Sequence, residues 1–355
     1  MAERLILQTP PRHTAPDGAP TTLTDRFGRT ARDLRVSLTD RCNLRCTYCM
    51  PAEGLEWLPT QDTLSDAEVI RLITIAVRDL GIRQVRFTGG EPLLRKSLAE
   101  IIATTTQLRT DEGRSPATAL TTNGLGLDKR LAELIDAGLH RVNISLDTLD
   151  PERYLRLTRR DRLPDVLRSI DAVLAAGLHP LKLNTVVMPG VNEDDILPLA
   201  HFALDRGAQL RFIEQMPLGP RHEWQRGAMV TADDILARLR TEFELRPAAE
   251  PRGAAPAALW TARSGNTEGS IGVIASVTRP FCGDCDRTRL TTDGAMRTCL
   301  FSRTETSLRD LLRAGADDAT LAAAWAGAMY EKKPGHGIDD PGFLQPDRTM
   351  SAIGG

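Results

Sequence analysis

The sequence predicts an α/β fold: a partial (βα)6 barrel of the TIM type, followed by a smaller C-terminal cap. Short apolar runs alternate six times with amphipathic helical stretches between residues 34 and 214, which is typical of parallel sheets with helices outside. Six units are fewer than the eight of a closed barrel, so an open barrel is expected. After about residue 246 the alternation ends and the composition changes, which predicts a separate C-terminal part.

The repeating units can be placed in order along the chain. Strands are predicted at 34–38, 85–87, 117–121, 141–146, 181–187 and 209–214. Helices are predicted over 65–80, from residue 97, over 128–137, over a longer stretch that includes 164–176, and over 194–206. The first helix opens with a capping-box pair, Ser65 and Glu68, and ends at Gly81.

This pattern divides the chain into four segments. Residues 1–22, rich in proline, glycine and threonine, are expected to be a disordered lead-in, and 23–245 to form the barrel. The run PAAEPRGAAPAA suggests a linker or variable loop over 246–268. Residues 269–355 are expected to form the C-terminal region, which begins with a β segment over 269–277 and ends in Gly354 and Gly355.

Composition and charge exclude several classes of function. A net charge of −2 and a pI near 6.3 provide no basic field for nucleic acid or for a membrane surface. The apolar runs fall short of the roughly 18 residues that a membrane span needs. The N-terminus lacks the apolar core of a signal peptide, so a cytoplasmic, reducing location is expected. There, clustered cysteines are more often ligands or catalysts than disulfides.

All six cysteines fall into two groups of three. The first triad is Cys42, Cys46 and Cys49, with C-x3-C-x2-C spacing, and the second triad is Cys282, Cys285 and Cys299, with C-x2-C-x13-C spacing. A structural zinc site needs four ligands, and the histidines closest in sequence to the second triad, His222 and His336, are tens of residues away. Three thiolates suit a four-iron cluster with one iron left open. The sequence therefore predicts two such clusters, the second carried by the C-terminal cap.

Polar residues follow successive predicted strands. Such positions lie at the carboxyl ends of parallel strands, where the reactive groups of barrels gather. They comprise the first cysteine loop, Gly89-Gly90-Glu91-Pro92, Thr121-Thr122-Asn123, Ser145-Leu146-Asp147, Lys182 with Asn184, and Arg211 with Met216. Each alone could be an ordinary turn or cap, but their recurrence favours one shared site.

The first triad, with Tyr48 before its last cysteine, resembles the signature of the radical S-adenosylmethionine enzymes. The second triad, Arg287-Thr288-Arg289, the RFIEQM run at 211–216 and the terminal Gly354-Gly355 together resemble one family among them, the MoaA or GTP 3′,8-cyclase family of molybdenum-cofactor biosynthesis. The resemblance covers nearly everything from about Leu23 onward. It implies two 4Fe–4S clusters and S-adenosylmethionine as cofactors. It also implies conversion of GTP to (8S)-3′,8-cyclo-7,8-dihydroguanosine 5′-triphosphate.

The resemblance assigns roles to single residues. In the family, S-adenosylmethionine on the N-terminal cluster is cleaved to a 5′-deoxyadenosyl radical that abstracts the ribose 3′-hydrogen of GTP, whose guanine binds the C-terminal cluster. Contacts to S-adenosylmethionine are implied for Tyr48, Gly90, Ser145 and Met216. Contacts to GTP are implied for Arg35, Arg86, Thr121, Lys182, Arg287, Thr288 and Arg289. The chemistry agrees, because planar guanidinium groups match phosphate oxygens and a cation within an apolar strand is costly unless paired.

Two further expectations concern the second cluster and the tail. The resemblance implies that the Gly354-Gly355 end reaches into the active site and is required for activity, and only a segment without side chains could enter so crowded a space. Asp286 stands where many members of the family carry asparagine. Its charge is expected to act on the hydrogen bonds or the potential of the second cluster.

The implied partners are GTP, the next enzyme of the pathway (cyclic pyranopterin monophosphate synthase) as product acceptor, and an unidentified electron donor, with the chain a monomer or homodimer. Two other interpretations stay open at this point. A peptide-modifying radical enzyme shares the first triad, but usually has more cysteines near its C-terminal end. A zinc-stabilised RNA-binding module would have a basic, aromatic surface, whereas aromatic residues make up only 4% of this chain.

Overall fold

The computed structural model describes residues 22–219 and 224–354. The strands there form a 12-stranded sheet: β1 (Asp33–Ser37), β2 (Gln84–Thr88), β3 (Ala117–Thr122), β4 (Arg141–Ser145), β5 (Lys182–Val187), β6 (Gln209–Glu214), β7 (Glu244–Pro247), β8 (Ala258–Ser264), β9 (Thr267–Ile274), β10 (Arg287–Leu290), β11 (Ala295–Arg297) and β12 (Thr306–Ser307). The helices are α1 (Asp66–Arg78), α2 (Leu98–Gln107), α3 (Leu127–Asp136), α4 (Pro151–Thr158), α5 (Leu163–Ala175), α6 (Ile196–Asp205), α7 (Ala232–Leu239), α8 (Leu308–Arg313), α9 (Asp318–Tyr330) and α10 (Met350–Ile353). Short 3-10 turns lie at Thr60–Asp62, Pro92–Leu94, Glu193–Asp195, Arg226–Ala228 and Cys282–Asp284.

The middle of the sheet is the predicted barrel. Strands β1 to β6 lie side by side in chain order, and every neighbouring pair is parallel. At least one helix separates each of these strands from the next. The six predicted strands agree with the observed ones to within one residue at each end. The six-unit α/β architecture is thereby confirmed.

Local signals explain where the helices begin and end. Both hydrogen bonds of the capping box form at the start of α1, where the Ser65 side chain accepts from Glu68 N and the Glu68 side chain accepts from Ser65 N. The long helical stretch before β5 is two helices, α4 and α5, because Arg159 adopts the left-handed conformation (φ 56°) and ends α4. The predicted helix over 194–206 begins as a 3-10 turn and continues as α6.

The C-terminal region extends the sheet at both of its edges. Strand β10 pairs in parallel with β1, and β9 pairs in parallel with β6. The antiparallel strands β11 and β12 continue beyond β10, and β8 and β7 continue beyond β9. The interval 246–268, expected to be a linker or variable loop, includes β8, whose Ala262 is fully buried. Because β10 begins two residues after Cys285, its pairing with β1 brings the second triad to the barrel.

One large apolar core lies between the sheet and the helices, and a smaller apolar cluster joins the tail to the rest. That smaller cluster includes Leu218, Val277, Phe301 and Ile353, so α10 is anchored by packing. No helix in the described part of the chain is both long and apolar enough to cross a membrane. Apart from Thr22, the predicted lead-in lies outside the described residues.

Candidate active site between the two cysteine triads

Both cysteine triads line the same cavity at the carboxyl ends of the parallel strands. This upper cavity has a volume of about 310 Å³, and all six thiols contribute to its lining. Each cysteine is a free thiol and is partly buried. The first triad comes from the loop after β1, and the second from the 3-10 turn before β10 and the loop after β11. Two groups more than 230 residues apart in sequence therefore line one space.

The first triad is held in a partly buried loop. Asn123 Nδ2 lies 3.8 Å from Cys42 Sγ, and Leu44 N donates to the same sulfur at 3.5 Å. Burial raises the pKa of Cys42, raises that of Cys46 well above its usual range, and raises that of Cys49 to about 12. These thiols keep their protons until a metal displaces them.

The second triad has a more cationic surrounding. Burial raises the pKa of Cys282, with a further contribution from Cys299. Burial would also raise the pKa of Cys285, but the charges of Lys332 and Arg287 lower it below its ordinary value. The fold also brings His336 to this triad: its backbone contacts the Cys282 thiol and its side chain lines the upper cavity. Separation in sequence was thus a poor guide to the distance between this histidine and the cysteines.

The donor chemistry of the triads fits iron–sulfur clusters. In the described ranges, no three His, Cys, Asp or Glu side chains are grouped so that they could hold a single metal ion. Soft thiolates are the usual ligands of iron–sulfur clusters, in which separate irons bind separate sulfurs. Three thiols in each triad, all lining the upper cavity, leave room for a further ligand at each cluster.

The turn after β2 packs backbone to backbone against the first cysteine loop. Gly90 N donates to Thr39 O at 2.7 Å, and Glu91 N donates to Arg41 O at 2.8 Å. A Cβ atom on Gly90 would lie only 2.3 Å from Arg41 O. The glycine is therefore required by this close approach, a reason that the sequence alone did not indicate, and Gly90 also lines the upper cavity as expected.

Glu91 ties this turn to the next strand end. Its side chain is fully buried and accepts hydrogen bonds from Leu93 N (3.0 Å), Thr122 Oγ1 (2.7 Å) and Asn123 N (2.8 Å). Burial raises its pKa to about 7, although these hydrogen bonds act in the opposite direction. The carboxyl group thus fixes the position of Asn123, which contacts the first triad.

The other residues expected to contact S-adenosylmethionine also line the upper cavity: Tyr48, Ser145 and Met216. The Tyr48 hydroxyl donates to Asp147 Oδ2 at 2.8 Å, and Val186 N donates to Asp147 Oδ1 at 2.9 Å. Burial raises the pKa of Asp147 to about 6. The sequence predicts that Asp147 lies at a strand end, and its carboxylate holds the ring of Tyr48 against the cavity.

Arginines form a cationic wall along the upper cavity; the wall comprises Arg35, Arg86, Arg211, Arg287 and Arg289. Within the part of the chain that the structure describes, the buried Nε atoms of Arg35, Arg86 and Arg287 have no hydrogen-bond partner. Burial, and then the neighbouring Arg289 and Arg86, lower the pKa of Arg35 well below its usual range. Burial lowers the pKa of Arg211 to about 9. Asp33 Oδ2 lies 3.5 Å from Arg86 Nη2, and the other cations, with their unmatched donors, call for a further anion.

A second, lower cavity of about 240 Å³ lies against the same wall at the amino ends of the strands. Arg86, Arg211 and Arg287 line both cavities. Lys182 and Arg141 line the lower cavity alone. Burial lowers the pKa of Lys182 to about 7, with further contributions from Arg211, Arg141 and Arg86.

The structure separates three of the predicted residues from the upper cavity. Lys182 faces the lower cavity. The Thr288 side chain lies on the other face of β10, where its Oγ1 accepts from Trp325 Nε1 at 2.9 Å. Asp286 lines the lower cavity, and its pKa is raised by burial. Thr121 lines the upper cavity as predicted.

The C-terminal tail, which comprises α10 and Gly354, reaches the upper cavity. Gly354 O accepts a hydrogen bond from Arg289 Nη1, and Gly354 has φ +70°. A Cβ atom there would lie 2.4 Å from Ser37 Oγ and 2.7 Å from Thr88 Cγ2. Met350 and Ser351 of α10 line the upper cavity. Gly355 lies outside the described residues.

Sequence reasoning missed two cations, Arg141 and Lys332. Arg141 begins β4 and resembles any polar strand end, so no local signal marks it. Lys332 is one of only five lysines among 45 basic residues, which was the one available signal. Only the fold shows that its ammonium group lies against Cys285.

Known proteins resemble this chain over nearly its whole length. Residues 36–203 match the model of the Radical SAM superfamily, and 208–338 match that of Molybdenum Cofactor Synthesis C. A protein named GTP 3′,8-cyclase from Corynebacterium glutamicum (strain R) is 74% identical over 94% of this chain and 89% of its own length. One with the same name from Mycobacterium ulcerans (strain Agy99) is 57% identical over 96% of this chain and 94% of its own.

A solved structure shares the fold. The crystal structure of Streptococcus suis SuiB bound to S-adenosylmethionine superposes with a TM-score of 0.54 at 14% identity. The superposition covers 86% of this chain and 67% of the SuiB chain. At this identity the likeness concerns the fold alone, and it supports the partial barrel.

Proposed function

This chain belongs to the GTP 3′,8-cyclase family, and we propose that its reaction takes place in the upper cavity, between the two cysteine triads. The reaction converts GTP to (8S)-3′,8-cyclo-7,8-dihydroguanosine 5′-triphosphate, with two 4Fe–4S clusters and S-adenosylmethionine as cofactors. The observation that carries the placement is that all six thiols and the cationic wall line one cavity. The peptide-modifying and zinc-binding interpretations of the sequence are set aside by the family.

The first triad is proposed to hold the cluster that binds S-adenosylmethionine. The chemistry supplied there is reductive cleavage of S-adenosylmethionine, whose adenosyl fragment takes the hydrogen atom from C3′ of the ribose. The space beside the three thiols is lined by Tyr48, Gly90, Ser145 and Met216. These residues would orient and enclose S-adenosylmethionine. Asp147 fixes Tyr48 and Glu91 fixes Asn123, so the surrounding groups are held by buried hydrogen bonds before any ligand arrives.

The second triad is proposed to hold the cluster that receives the guanine of GTP. Cys282, Cys285 and Cys299 line the upper cavity together with the first triad. Arg287 and Arg289 lie two and four residues after Cys285 and line the same cavity. With the base at the second triad and the ribose between the triads, the triphosphate falls against the wall.

The cationic wall is proposed to bind the triphosphate. Arg35, Arg86 and Arg287 each carry a buried Nε without a partner, and charge-assisted hydrogen bonds to phosphate oxygens would satisfy such donors. Lys182 in the lower cavity would bind the end of the phosphate chain, and Thr121 would contact the nucleotide from β3. Thr288 supports the wall from behind, through its bond to Trp325.

The decisive experiment follows a hydrogen atom. GTP deuterated at C3′ is incubated anaerobically with the enzyme, S-adenosylmethionine and a reductant, and 5′-deoxyadenosine is analysed by mass spectrometry. Deuterium should appear in 5′-deoxyadenosine, and the cyclised nucleotide should form from GTP in preference to ATP. Transfer from another position, or equal turnover of ATP, would contradict the proposal. The Arg287→Ala variant should weaken use of GTP more than assembly of the clusters.

Metal content provides an independent check. Protein prepared anaerobically should contain about eight irons per chain, as expected for two 4Fe–4S clusters. Replacing Cys42, Cys46 and Cys49 by alanine should remove about half of the iron, and replacing the second triad should remove the other half. Zinc in place of iron would contradict the assignment of the triads.

The wider setting is also a proposal. The family's place in molybdenum-cofactor biosynthesis supports a cytoplasmic enzyme whose product passes to cyclic pyranopterin monophosphate synthase, with electrons supplied by a separate donor. Adding that synthase to the reaction should consume the cyclised nucleotide. Size-exclusion chromatography with light scattering distinguishes a monomer from a homodimer.

A further inference from the structure

A single buried lysine lies against the second triad. Lys332 follows α9 and is only 3% exposed. Its Nζ atom lies 3.0 Å from Cys285 O, 2.9 Å from Arg287 O and 3.3 Å from Cys285 Sγ. The lysine therefore bonds to the turn that carries one cluster ligand and starts β10.

The described surroundings of this ammonium group supply no carboxylate as a hydrogen-bond partner. Among the described residues, the hydrogen-bond partners of Nζ are two carbonyl oxygens and one sulfur, and Asp286 interacts with it only at longer range. A buried cation without a counter-charge is costly. Of the three acceptors within the described ranges, the one that can become an anion is the sulfur of Cys285, which does so as a metal-bound thiolate.

The residue type suits this place. An ammonium group offers three donors around one atom, and here three acceptors surround it, whereas a guanidinium group presents a flat, wider fork. The chain has five lysines against 40 arginines, so a lysine here is a departure from its general usage. The next residue, Lys333, is exposed.

A neighbouring contact holds the lysine in position. Arg29 Nη1 donates to Cys282 O at 2.6 Å and to Pro334 O at 2.9 Å, and Nη2 donates to Lys333 O at 2.6 Å. Asp25 in turn accepts from Arg29 Nε at 2.6 Å. The chain immediately after Lys332 is thus fastened to the same cysteine loop, so the ammonium group is held in place.

We propose that Lys332 is a positioning residue for the second cluster: it fixes the Cys285–Arg287 turn, and its charge compensates the thiolate and raises the reduction potential of that cluster. Hydrogen bonds and positive charge at cluster sulfurs stabilise the reduced, more negative state. The inference rests on the proposed function, because it requires a cluster at the second triad.

The test isolates the second cluster in the full chain. In a background with Cys42→Ala, Cys46→Ala and Cys49→Ala, the parent protein is compared with Lys332→Met, Lys332→Gln and Lys332→Arg, with Lys333→Met as the matched control. Iron and sulfide per chain are measured, and the reduction potential is determined by electron paramagnetic resonance during a potentiometric titration.

We expect Lys332→Met to lose iron from the second site or to shift its potential to more negative values, while Lys333→Met behaves as the parent. Lys332→Arg, which keeps the charge, should retain more iron or a less negative potential than Lys332→Gln. A Lys332→Met protein with parental iron content and potential would overturn the proposal. Equal behaviour of the Arg and Gln variants would overturn the role of the charge.

Failure of this inference is distinguishable from failure of the proposed function. If the background protein binds no iron, the second cluster is absent and the proposed function fails. The same holds if it binds iron but keeps that iron when Cys282, Cys285 and Cys299 are replaced. If that cluster forms and is indifferent to Lys332, only the role of the lysine fails.

Discussion

Lys182 and Gly354 show how single residues adapt to the site. Lys182 shares the lower cavity with Arg86, Arg141 and Arg211, and burial together with these charges lowers its pKa to about 7. In the free protein it is therefore charged below about pH 7 and becomes neutral above it. Gly354 occupies a space that would not admit a side chain. Each residue is suited to its ligand or its neighbours at some cost in intrinsic stability.

Binding of GTP is expected to take up a proton at Lys182. The triphosphate favours the charged lysine, so affinity should fall as the pH rises through 7, by up to about tenfold per pH unit until the lysine of the complex also titrates. Calorimetry in two buffers of different ionisation enthalpy measures the proton uptake. Lys182→Met should remove it, whereas the exposed Lys129→Met should not. If the Lys182→Met and Lys129→Met variants take up the same number of protons, a group other than Lys182 titrates on binding.

Adding one methyl group to the tail is expected to displace it. In Gly354→Ala the new Cβ meets Ser37 Oγ, and an L-residue at positive φ costs about 1–2 kcal/mol. Formation of cyclised product should fall about tenfold or more, while iron content stays unchanged. Gly342→Ala, at an exposed position with open space, is the control. Deleting Gly354 and Gly355 should abolish product without loss of either cluster; undiminished product would refute a role for the tail.

At the scale of elements, the two faces of β10 have different contacts. Arg287 and Arg289 point to the upper cavity, whereas Thr288 points to α9. Its parallel pairing with β1 places Arg289 beside Arg35. The strand thus joins the second triad to the barrel and fixes the arginines of the wall at the same time.

Removing the hydroxyl group behind this strand is expected to affect stability more than binding. Thr288→Val leaves the buried indole N–H of Trp325 without an acceptor, which should lower the free energy of unfolding by about 1–3 kcal/mol. The Kd for GTP should change little, whereas Arg289→Met should raise it strongly. Urea denaturation and calorimetry distinguish the two. A large loss of GTP affinity in a stable Thr288→Val protein would show direct contact.

At the scale of the whole molecule, ion pairs connect the tail to the second triad. Arg348 bonds to both carboxylate oxygens of Asp293, at 2.9 and 2.8 Å, and to Glu305 at 2.7 Å. Glu305 also pairs with Arg297, two residues before Cys299. The loop that carries the third ligand and the segment that carries the tail are therefore one connected unit.

Breaking this connection should release the tail without unfolding the protein. Arg348→Met removes three charge-assisted hydrogen bonds, each contributing about 1.5–3 kcal/mol at most. Hydrogen exchange of residues 349–354 should become about tenfold faster or more, and product formation should fall. Arg303→Met, at an exposed arginine on the same loop, serves as the control. Unchanged exchange would show that packing of α10 alone holds the tail.

By itself, the sequence determined the six central strands to within a residue, both cysteine triads and the polar strand ends, because strand and helix periodicity and ligand spacing are local properties. The tertiary structure decided what depends on contacts between distant segments. It placed β10 beside β1, brought Lys332 and His336 to the second triad, and turned the Thr288 side chain away from the cavity. Which strands pair at the edges of a sheet depends on the packing of the whole chain, and no local pattern records it.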